Sequence, residues 1–493
     1  MSVNCTLGTD ILIKYSMIVR TTKTIMHIQT AASSQPKPAK TSDTQALETM
    51  RSLPRKPNEN LDHIPGPTGL PLIGCSLDMI KDAPDFMRRQ FDNHGPVFKV
   101  NGFGSTSLNF ADVDAARMML LNKDKNFSSE LGWARVAGLL RTGILLRDFS
   151  DHRVHRRVLQ QAFKRPVLEH YAEQLNTQLQ HGIEAWPKQS TFKFQHALKS
   201  LLLDNAASLF MGAELGEESA KLNSNFVALL NATVSLVRWK LPGTSWTRGR
   251  KGTEFLRAWL TKQIDHRVNS DNPDFFSTLL KLSQDPESEM NLEEVIDHTV
   301  LLLFAAHDTT TSTICTIVSM LCEQPEWQEI LREEMSQLSD TTLQIDAFKQ
   351  LPLTDQFFNE VLRRYPPIFV ILRRCISEFE YAGYRIPENS QTNVNISLLH
   401  HHPDYWTNPH KFDPDRFSNS RAEHKKDMFQ FLPFGSGAHK CLGINFAEIQ
   451  TKILLFHLLR NYKVETATGR KTAFTHLPMP LPKDGLPVKI TSI

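Results

Sequence analysis

The sequence contains few cysteines, and they lie far apart. Six cysteines occur in 493 residues, and none has a second cysteine three positions away, as structural zinc sites and thiol–disulfide sites require. So sparse a set cannot form the disulfide framework that stabilises small secreted proteins. We therefore expect a protein of a reducing compartment, with some cysteines buried as small apolar residues.

The chain also lacks an excess of charge of either sign and lacks a long hydrophobic run. Its 56 Lys and Arg against 53 Asp and Glu give a net charge of +3, and no basic stripe marks a nucleic-acid surface. The most apolar N-terminal stretch, residues 11–19, contains Lys14 and is shorter than the roughly 18 residues of a membrane-spanning helix. We predict no nucleic-acid partner and no transmembrane helix, and peripheral contact with a membrane stays compatible with the sequence.

The first 60 residues differ in composition from the rest. Residues 11–40 carry five Lys or Arg and no acid. This is typical of an organelle transit peptide, but also of a disordered leader or of a start site placed upstream of a true start at Met26. Residues 31–60 are rich in Ser, Thr, Pro, Lys and Asn and predict a linker. We therefore predict a disordered leader and linker over 1–60 and a folded domain over 61–493. We expect it in the cytoplasm, or in mitochondria if the leader is a transit peptide.

The folded domain is predicted to be mostly α with minor β. Prolines and glycines clustered between Ile64 and Gly74 predict a rigid, non-helical segment. Two runs, 97–100 and 107–110, flank a glycine-containing turn and predict a hairpin, and residues 379–386 predict a second small sheet. Between about 150 and 340, Gly and Pro are scarce and the pattern is helical.

The clearest predicted element is a long helix that begins after Asn291. Asn291 is a suitable N-cap, Glu293 and Glu294 complement the helix dipole, and the helical pattern stops before Pro325. About 33 residues at 1.5 Å rise give roughly 50 Å, enough to cross a whole domain. Asp308 follows an apolar run in the middle of this helix, so it either faces solvent or needs a partner in the interior.

A single cysteine near the C-terminus lies in a glycine-rich loop. Residues 431–448 have the sequence FLPFGSGAHKCLGINFAE, and a helical pattern follows Cys441. Glycines let the backbone approach a flat ligand closely, and the N-terminal end of a helix favours the thiolate form of a cysteine. Such a thiolate can ligate haem iron. For these residues alone, the alternative is an inert cysteine in a tight turn.

Four motifs in order resemble those of the cytochrome P450 family. Residues 434–443, FGSGAHKCLG, are similar to its haem-binding signature, with His439 where the family more often has Arg. Residues 360–363, EVLR, resemble its Glu-x-x-Arg motif, and residues 412–417, FDPDRF, resemble its later Pro/Arg motif. Residues 305–310, AAHDTT, resemble the oxygen-activating part of its central helix, with Ala306 where Gly is frequent.

The resemblance implies a haem-thiolate catalytic domain over 61–493, with the cytochrome P450 fold and a long central helix across the haem. It implies haem b as the cofactor and Cys441 as the axial ligand of its iron, with Phe434, Gly435 and Gly443 of the same loop as further haem-binding residues. It implies contacts to the haem propionates from His152, Arg156, Arg373 and His439. It also implies a buried network that holds the cysteine loop and consists of Glu360, Arg363 and Arg416.

The reaction implied is insertion of one oxygen atom from O₂ into a C–H bond of a hydrophobic substrate. Thr309 and Asp308 would deliver protons. Electrons from NAD(P)H would arrive through a ferredoxin, flavodoxin or reductase. Lys425, Lys426 and Lys440 are candidates for part of a basic docking face for this partner, and the alternative is that they are ordinary solvated lysines. The candidate pocket residues are apolar: Ala305, Ile368, Phe369, Val370 and Leu477.

The substrate class follows from a more local similarity. Residues 241–244, LPGT, together with His152, resemble the branch of retinoic-acid hydroxylases, plant steroid oxidases and cyanobacterial relatives. This implies a retinoid, sterol or other isoprenoid, with a fatty acid as the runner-up. A haem-thiolate sensor and a peroxide-dependent enzyme stay open as alternatives. The adjacent His400, His401 and His402 cannot converge on one metal, and we interpret them as structural.

Overall fold

Most of the described chain is helical, and its strands are short. The computed structural model describes residues 41–71, 73–140, 142–213, 217–233, 235, 241–268 and 274–493. Its helices are α1 (Asp43–Ser52), α2 (Ser76–His94), α3 (Val113–Leu121), α4 (Ser129–Ala137), α5 (Phe149–Leu159), α6 (Arg165–Glu184), α7 (Phe194–Met211), α8 (Glu217–Thr233), α9 (Ser245–Arg267), α10 (Phe275–Ser283), α11 (Leu292–Glu323), α12 (Pro325–Ser336), α13 (Pro352–Arg364), α14 (Ile396–His400) and α15 (Ile444–Asn461). Its strands are β1 (Val97–Gly102), β2 (Ser105–Phe110), β3 (Phe127–Ser128), β4 (Phe192–Lys193), β5 (Val370–Cys375), β6 (Phe379–Tyr381), β7 (Tyr384–Ile386), β8 (Gln391–Asn395), β9 (Tyr462–Thr466), β10 (Phe474–Thr475), β11 (Leu481–Pro482) and β12 (Pro487–Ser492).

The strands form one larger sheet and several small ones. The larger sheet has the order β1-β2-β8-β5-β3, in which β1 and β2 form an antiparallel hairpin and β2 pairs with β8 in parallel. A three-stranded sheet has the order β4-β12-β9, and β6-β7 and β10-β11 are antiparallel pairs. The predicted hairpin at 97–110 and the predicted second small sheet at 379–386 are therefore confirmed, as is the class of mostly α with minor β.

The long helix α11 is the axis of the fold. Asn291 and Glu294 form a reciprocal capping box at its start, and the helix ends at Glu323, before Pro325, as predicted. At 1.5 Å per residue its 32 residues span about 48 Å. Its sides pack against α7 and α10. Among the described residues it is the one helix long and apolar enough to cross a membrane, but 67% of that stretch is buried inside the protein, as in a core helix.

The structure corrects the predicted linker over one segment. Residues 43–52 form helix α1, capped by the Ser42 side chain, which accepts from the Gln45 N–H. Its buried residues Ala46 and Met50 pack with Ile376 in a small cluster. Only two apolar positions carry this packing, so the polar composition around them concealed the helix. Residues 1–40, on which the predictions of a leader, a transit peptide and a start at Met26 rest, lie outside the described residues.

Candidate active site

The loop before Cys441 folds back on itself. The Cys441 N–H donates a 2.9 Å hydrogen bond to the Phe434 carbonyl, and α15 begins three residues later at Ile444. Gly437 has φ +68°, and a Cβ added there would come within 1.9 Å of the Leu120 carbonyl oxygen. Glycine alone satisfies both the left-handed backbone and this close approach, so Gly437 fixes the loop against α3.

The Cys441 thiol is accessible to solvent although protein surrounds it. Burial raises the pKa of the thiol, while the Gly443 N–H and the charges of Arg156 and Lys440 act in the opposite direction. A Cβ added to Gly443 would meet no atom within 4 Å, so open space adjoins the loop there. The net effect is a raised pKa, because burial outweighs the other contacts. The Gly443 N–H and the two cations are the groups that would stabilise the thiolate, which is the form that ligates a metal.

Behind the loop, two arginines and one glutamate form a buried network. Glu360 and Arg363 on α13 share two hydrogen bonds of 2.6 and 2.8 Å, and Arg416 Nε lies 3.5 Å from the same carboxylate. All three side chains are 0% exposed. The structure therefore brings together the three residues predicted for this network, in which loss of one member would leave a buried charge uncompensated.

Backbone carbonyls and one further acid surround the two arginines. Arg363 Nη1 donates to the His400 carbonyl at 2.7 Å, and Arg416 Nη2 donates to the Asn408 carbonyl at 2.7 Å. Arg416 Nη1 also lies 3.2 Å from Glu423, a buried acid that the sequence analysis did not identify. The network thus holds the segment 400–423 against α13.

His400 extends this network to the cysteine loop. Its Nδ1 donates to the Arg363 carbonyl at 3.2 Å, and its Nε2 accepts from the Leu432 N–H at 2.8 Å. The Leu432 carbonyl in turn accepts from the Gly435 N–H at 3.0 Å. Burial, followed by the Arg363 charge, lowers the pKa of His400 to about 3. The ring is therefore neutral, in the tautomer that both hydrogen bonds require.

The four residues predicted to contact propionates lie near one another, two on α5, one on β5 and one in the cysteine loop. The rings of His152 on α5 and His439 are 3.9 Å apart. Arg156 lies one turn after His152 on α5, and Arg373 lies on β5. Burial, followed by the charges of His439, Arg156 and Arg373, lowers the pKa of His152 to about 2. The charges of the three neighbouring basic side chains therefore disfavour protonation of His152.

This basic cluster contains more cations than anions. Asp148 lies 3.6 Å from His439, but it already accepts hydrogen bonds from Ser128 and from the first residues of α4. Arg373 is buried and makes no ion pair with any described residue, and burial lowers its pKa to about 10. A buried surplus of positive charge is stabilised by a bound anion. The cluster and the accessible thiol therefore fit haem, which carries an iron and two carboxylates.

Asp308 and Thr309 lie in the middle of α11. Asp308 Oδ1 lies 2.9 Å from Nζ of Lys199 on α7. Burial raises the pKa of Asp308, but its contacts with His307 and Lys199 lower it overall. Thr309 Oγ1 donates to the Ala305 carbonyl at 2.8 Å. Ala305 is exposed although most of α11 is buried, so the helix has an accessible surface at this point. Lys199 was not predicted, because no motif links it to α11.

The predicted pocket residues lie on three segments. Ala305 is on α11, Leu477 lies between β10 and β11, and the run 368–370 leads into β5. Helix α11 contacts β11, and Ser312 Oγ donates to the Pro480 carbonyl at 2.5 Å. Phe369 is buried, whereas Ile368, Val370 and Leu477 are partly exposed. The structure thus joins α11 to the segment that contains Leu477.

Comparisons with known proteins agree with this geometry. The family profile described as Cytochrome P450 matches residues 64–487. The chain is 31% identical to cytochrome P450 136 of Mycobacterium tuberculosis over 88% of this chain and 89% of that protein. It is 27% identical to taxoid 7-beta-hydroxylase of Taxus cuspidata over 86% of this chain and 88% of that protein. The solved structure of cyanobacterial CYP120A1 with bound retinoic acid matches with a TM-score of 0.80 at 29% identity, covering 87% of this chain and 99% of that chain.

The match extends along most of the chain and includes the fold as well as the sequence. The long central helix, the minor sheets and the cysteine loop before the last long helix are all present in one unit that begins at Ser42. The chain therefore belongs to the cytochrome P450 family and is a haem-dependent monooxygenase.

Proposed function

We propose that this protein is a haem-thiolate monooxygenase for a hydrophobic isoprenoid, in which Cys441 would hold the haem iron. The observation that carries the proposal is the accessible Cys441 thiol, in a loop fixed by Gly437 in front and by the His400–Arg363–Glu360 network behind. A cysteine with only a packing role would not need an accessible sulfur or so many fixed contacts.

Each part of the site has a separate task. When bound, haem b supplies the activation of O₂ and the transfer of one oxygen atom. Cys441 Sγ would hold the iron, and His152, Arg156, Arg373 and His439 would bind the propionates. Phe434, Gly435 and Gly443 shape the loop. Asp308 and Thr309 hold and deliver protons on the accessible surface of α11.

Electrons come from NAD(P)H through a separate ferredoxin, flavodoxin or reductase. Lys425, Lys426 and Lys440 are exposed and supply positive charge on the side of the cysteine loop, which suits an acidic protein partner. We place this activity in the cytoplasm, with peripheral contact to a membrane where the substrate partitions into lipid.

The substrate is a retinoid, a sterol or another isoprenoid. Three observations support this class: the similarity of residues 241–244 to the corresponding branch, the likeness to a structure with bound retinoic acid, and the likeness to a taxoid hydroxylase. The apolar candidates Ala305, Ile368, Phe369, Val370 and Leu477 suit such a molecule but would also accept a fatty acid.

A ligand screen followed by turnover tests the proposal. The purified protein is titrated with retinoids, sterols, terpenoids and fatty acids, and the haem absorption spectrum is recorded for each. We expect an isoprenoid to shift the spectrum and to be hydroxylated when NADPH, ferredoxin and a ferredoxin reductase are supplied. Spectral binding without substrate-dependent NADPH consumption would instead indicate a sensor, and product formed only with hydrogen peroxide would indicate a peroxide-dependent enzyme. A response limited to fatty acids would overturn the substrate class.

A further inference from the structure

The residue before Asp308 is a histidine whose tautomer is fixed by the backbone. His307 is 1% exposed, and its Nε2 lies 3.1 Å from the Lys199 carbonyl oxygen. A carbonyl oxygen only accepts hydrogen bonds, so Nε2 must carry a hydrogen. In the neutral ring, Nδ1 is then a lone-pair acceptor without a hydrogen.

That second nitrogen faces a carboxylate. His307 Nδ1 lies 3.0 Å from Asp308 Oδ1, and Lys199 Nζ lies 2.9 Å from the same oxygen. In the present orientation Nδ1 makes no aligned hydrogen bond. Two acceptors facing each other at this distance repel in a buried site. One proton between Nδ1 and Oδ1 removes this conflict.

One further charged residue, Lys199, contacts the His307–Asp308 pair. Helix α7 contributes Lys199, and α8 contributes the uncharged ring of Phe226, edge-on at 5.6 Å from His307. Cys315 also lies near Lys199, and burial raises the pKa of its thiol, so it is neutral. Cys315 belongs to α11 itself. Among the described residues, Lys199 is therefore the titratable group that contacts the pair from a neighbouring element.

We propose that His307 is a positioning residue that shares a proton with Asp308 and replenishes it after each proton delivery. The inference rests on the proposed function, in which Asp308 serves the oxygen reaction. In the resting protein the proton lies on His307 Nδ1, and both His307 and Lys199 hold the Asp308 carboxylate. The proton moves from Nδ1 to Asp308, which passes one proton toward the active site. His307 becomes the neutral Nε2–H tautomer, and one proton taken up from water restores it.

Nuclear magnetic resonance of the holoprotein tests the shared proton without turnover. The chain is labelled with ¹⁵N-histidine, the haem is reduced and bound to carbon monoxide so that it is diamagnetic, and His307 is assigned with His307→Gln. We expect both ring nitrogens to be protonated near pH 7 in the wild type, and only Nε2 in Asp308→Asn. A neutral Nε2–H ring in the wild type that does not respond to Asp308→Asn would overturn the proposal.

Measurements of turnover in His307 variants test this inference separately from the proposed function. His307→Gln keeps a donor to the Lys199 carbonyl, whereas His307→Asn keeps a donor near Asp308, and neither side chain titrates. We expect both to lower product formed per NADPH about tenfold above pH 7, within the usual range of proton-transfer effects, with a changed pH profile and unchanged substrate binding. The control His457→Gln replaces another buried histidine, bonded to Asn176, and should behave as wild type.

The experiments distinguish a failure of the His307 proposal from a failure of the proposed function. Equal coupling and equal pH profiles in wild type and both His307 variants would refute the role of His307. No product from the wild type with any isoprenoid would refute the proposed function instead, and the resonance result would still decide the shared proton.

Discussion

The ring of His400 accepts a 2.8 Å hydrogen bond from the backbone N–H of Leu432. The opposite ring nitrogen donates to the carbonyl of Arg363, so one neutral imidazole joins the buried ion-pair network to the loop that ends in Cys441. The position of the cysteine therefore depends on a histidine 41 residues earlier in the chain. This contact therefore joins the buried network to the loop that contains the thiol.

Replacing His400 by Gln should make the protein less sensitive to acid. The pKa of His400 is about 3 in the folded protein, against 6.5 for an ordinary histidine. The unfolded chain therefore binds the extra proton between these values, and the contribution of His400 to stability is lost as pH falls from 6.5 toward 3. Between pH 7 and pH 5 the wild type should lose about 2 kcal/mol more than His400→Gln. Urea unfolding at both pH values measures this difference, and parallel losses would show that the ring does not titrate as described.

Removing Glu360 should prevent stable haem incorporation. Glu360→Ala leaves Arg363 and Arg416 buried without their shared carboxylate, which costs about 3–5 kcal/mol. The matched control is Glu329→Ala, which removes the exposed acid of an i,i+3 pair with Arg332 and should cost under about 1 kcal/mol. Haem content per protein and the urea midpoint measure both. Normal haem content in Glu360→Ala would contradict a structural role of the network in the cysteine loop.

Replacing Arg373 by Met should weaken haem retention. Arg373 is a buried cation without an ion pair among the described residues, and a propionate would supply that pair. Loss of a charged hydrogen bond is worth about 1.5–3 kcal/mol, so haem transfer to apomyoglobin should become roughly tenfold or more faster. Arg157→Met removes an exposed arginine of α5 and should have no effect. Equal transfer rates in the two variants would remove Arg373 from the haem site.

Replacing Thr309 by Ala should uncouple electron use from product formation. The Thr309 hydroxyl donates to the Ala305 carbonyl, but Thr316 makes the same bond one turn back, to Ser312, in the buried part of the same helix. If only helix stability mattered, Thr309→Ala and Thr316→Ala would have similar effects. We expect at least about a tenfold fall in product per NADPH for Thr309→Ala alone, with hydrogen peroxide released instead. An unchanged ratio would argue for the sensor or peroxide alternatives.

Local features explain which parts of the fold could be predicted. Helix α11 was predictable because Asn291 caps it, Pro325 ends it and its apolar run is long. Glu360 and Arg363 were predictable as a pair because residues three apart meet on one helix face. Helix α1 was missed because only Ala46 and Met50 are buried.

The rest of the site depends on contacts between distant parts of the chain. Arg416 and the propionate residues could be named only through the resemblance to a family. His400 with Leu432, Asp148 with His439, and Lys199 with Asp308 were not found at all. These contacts involve backbone atoms or separate helices, and a single sequence carries no periodic signal for them.

The visible spectrum of the reduced protein with carbon monoxide tests the central claim most directly. A thiolate ligand moves the Soret band to long wavelength, because sulfur pushes electron density onto the iron. We predict this band in the wild type and its loss in Cys441→Ala, with Cys375→Ala, a buried thiol on β5, retaining it. The same long-wavelength band in Cys441→Ala would contradict the assignment of Cys441 as the ligand and, with it, the account of the active site.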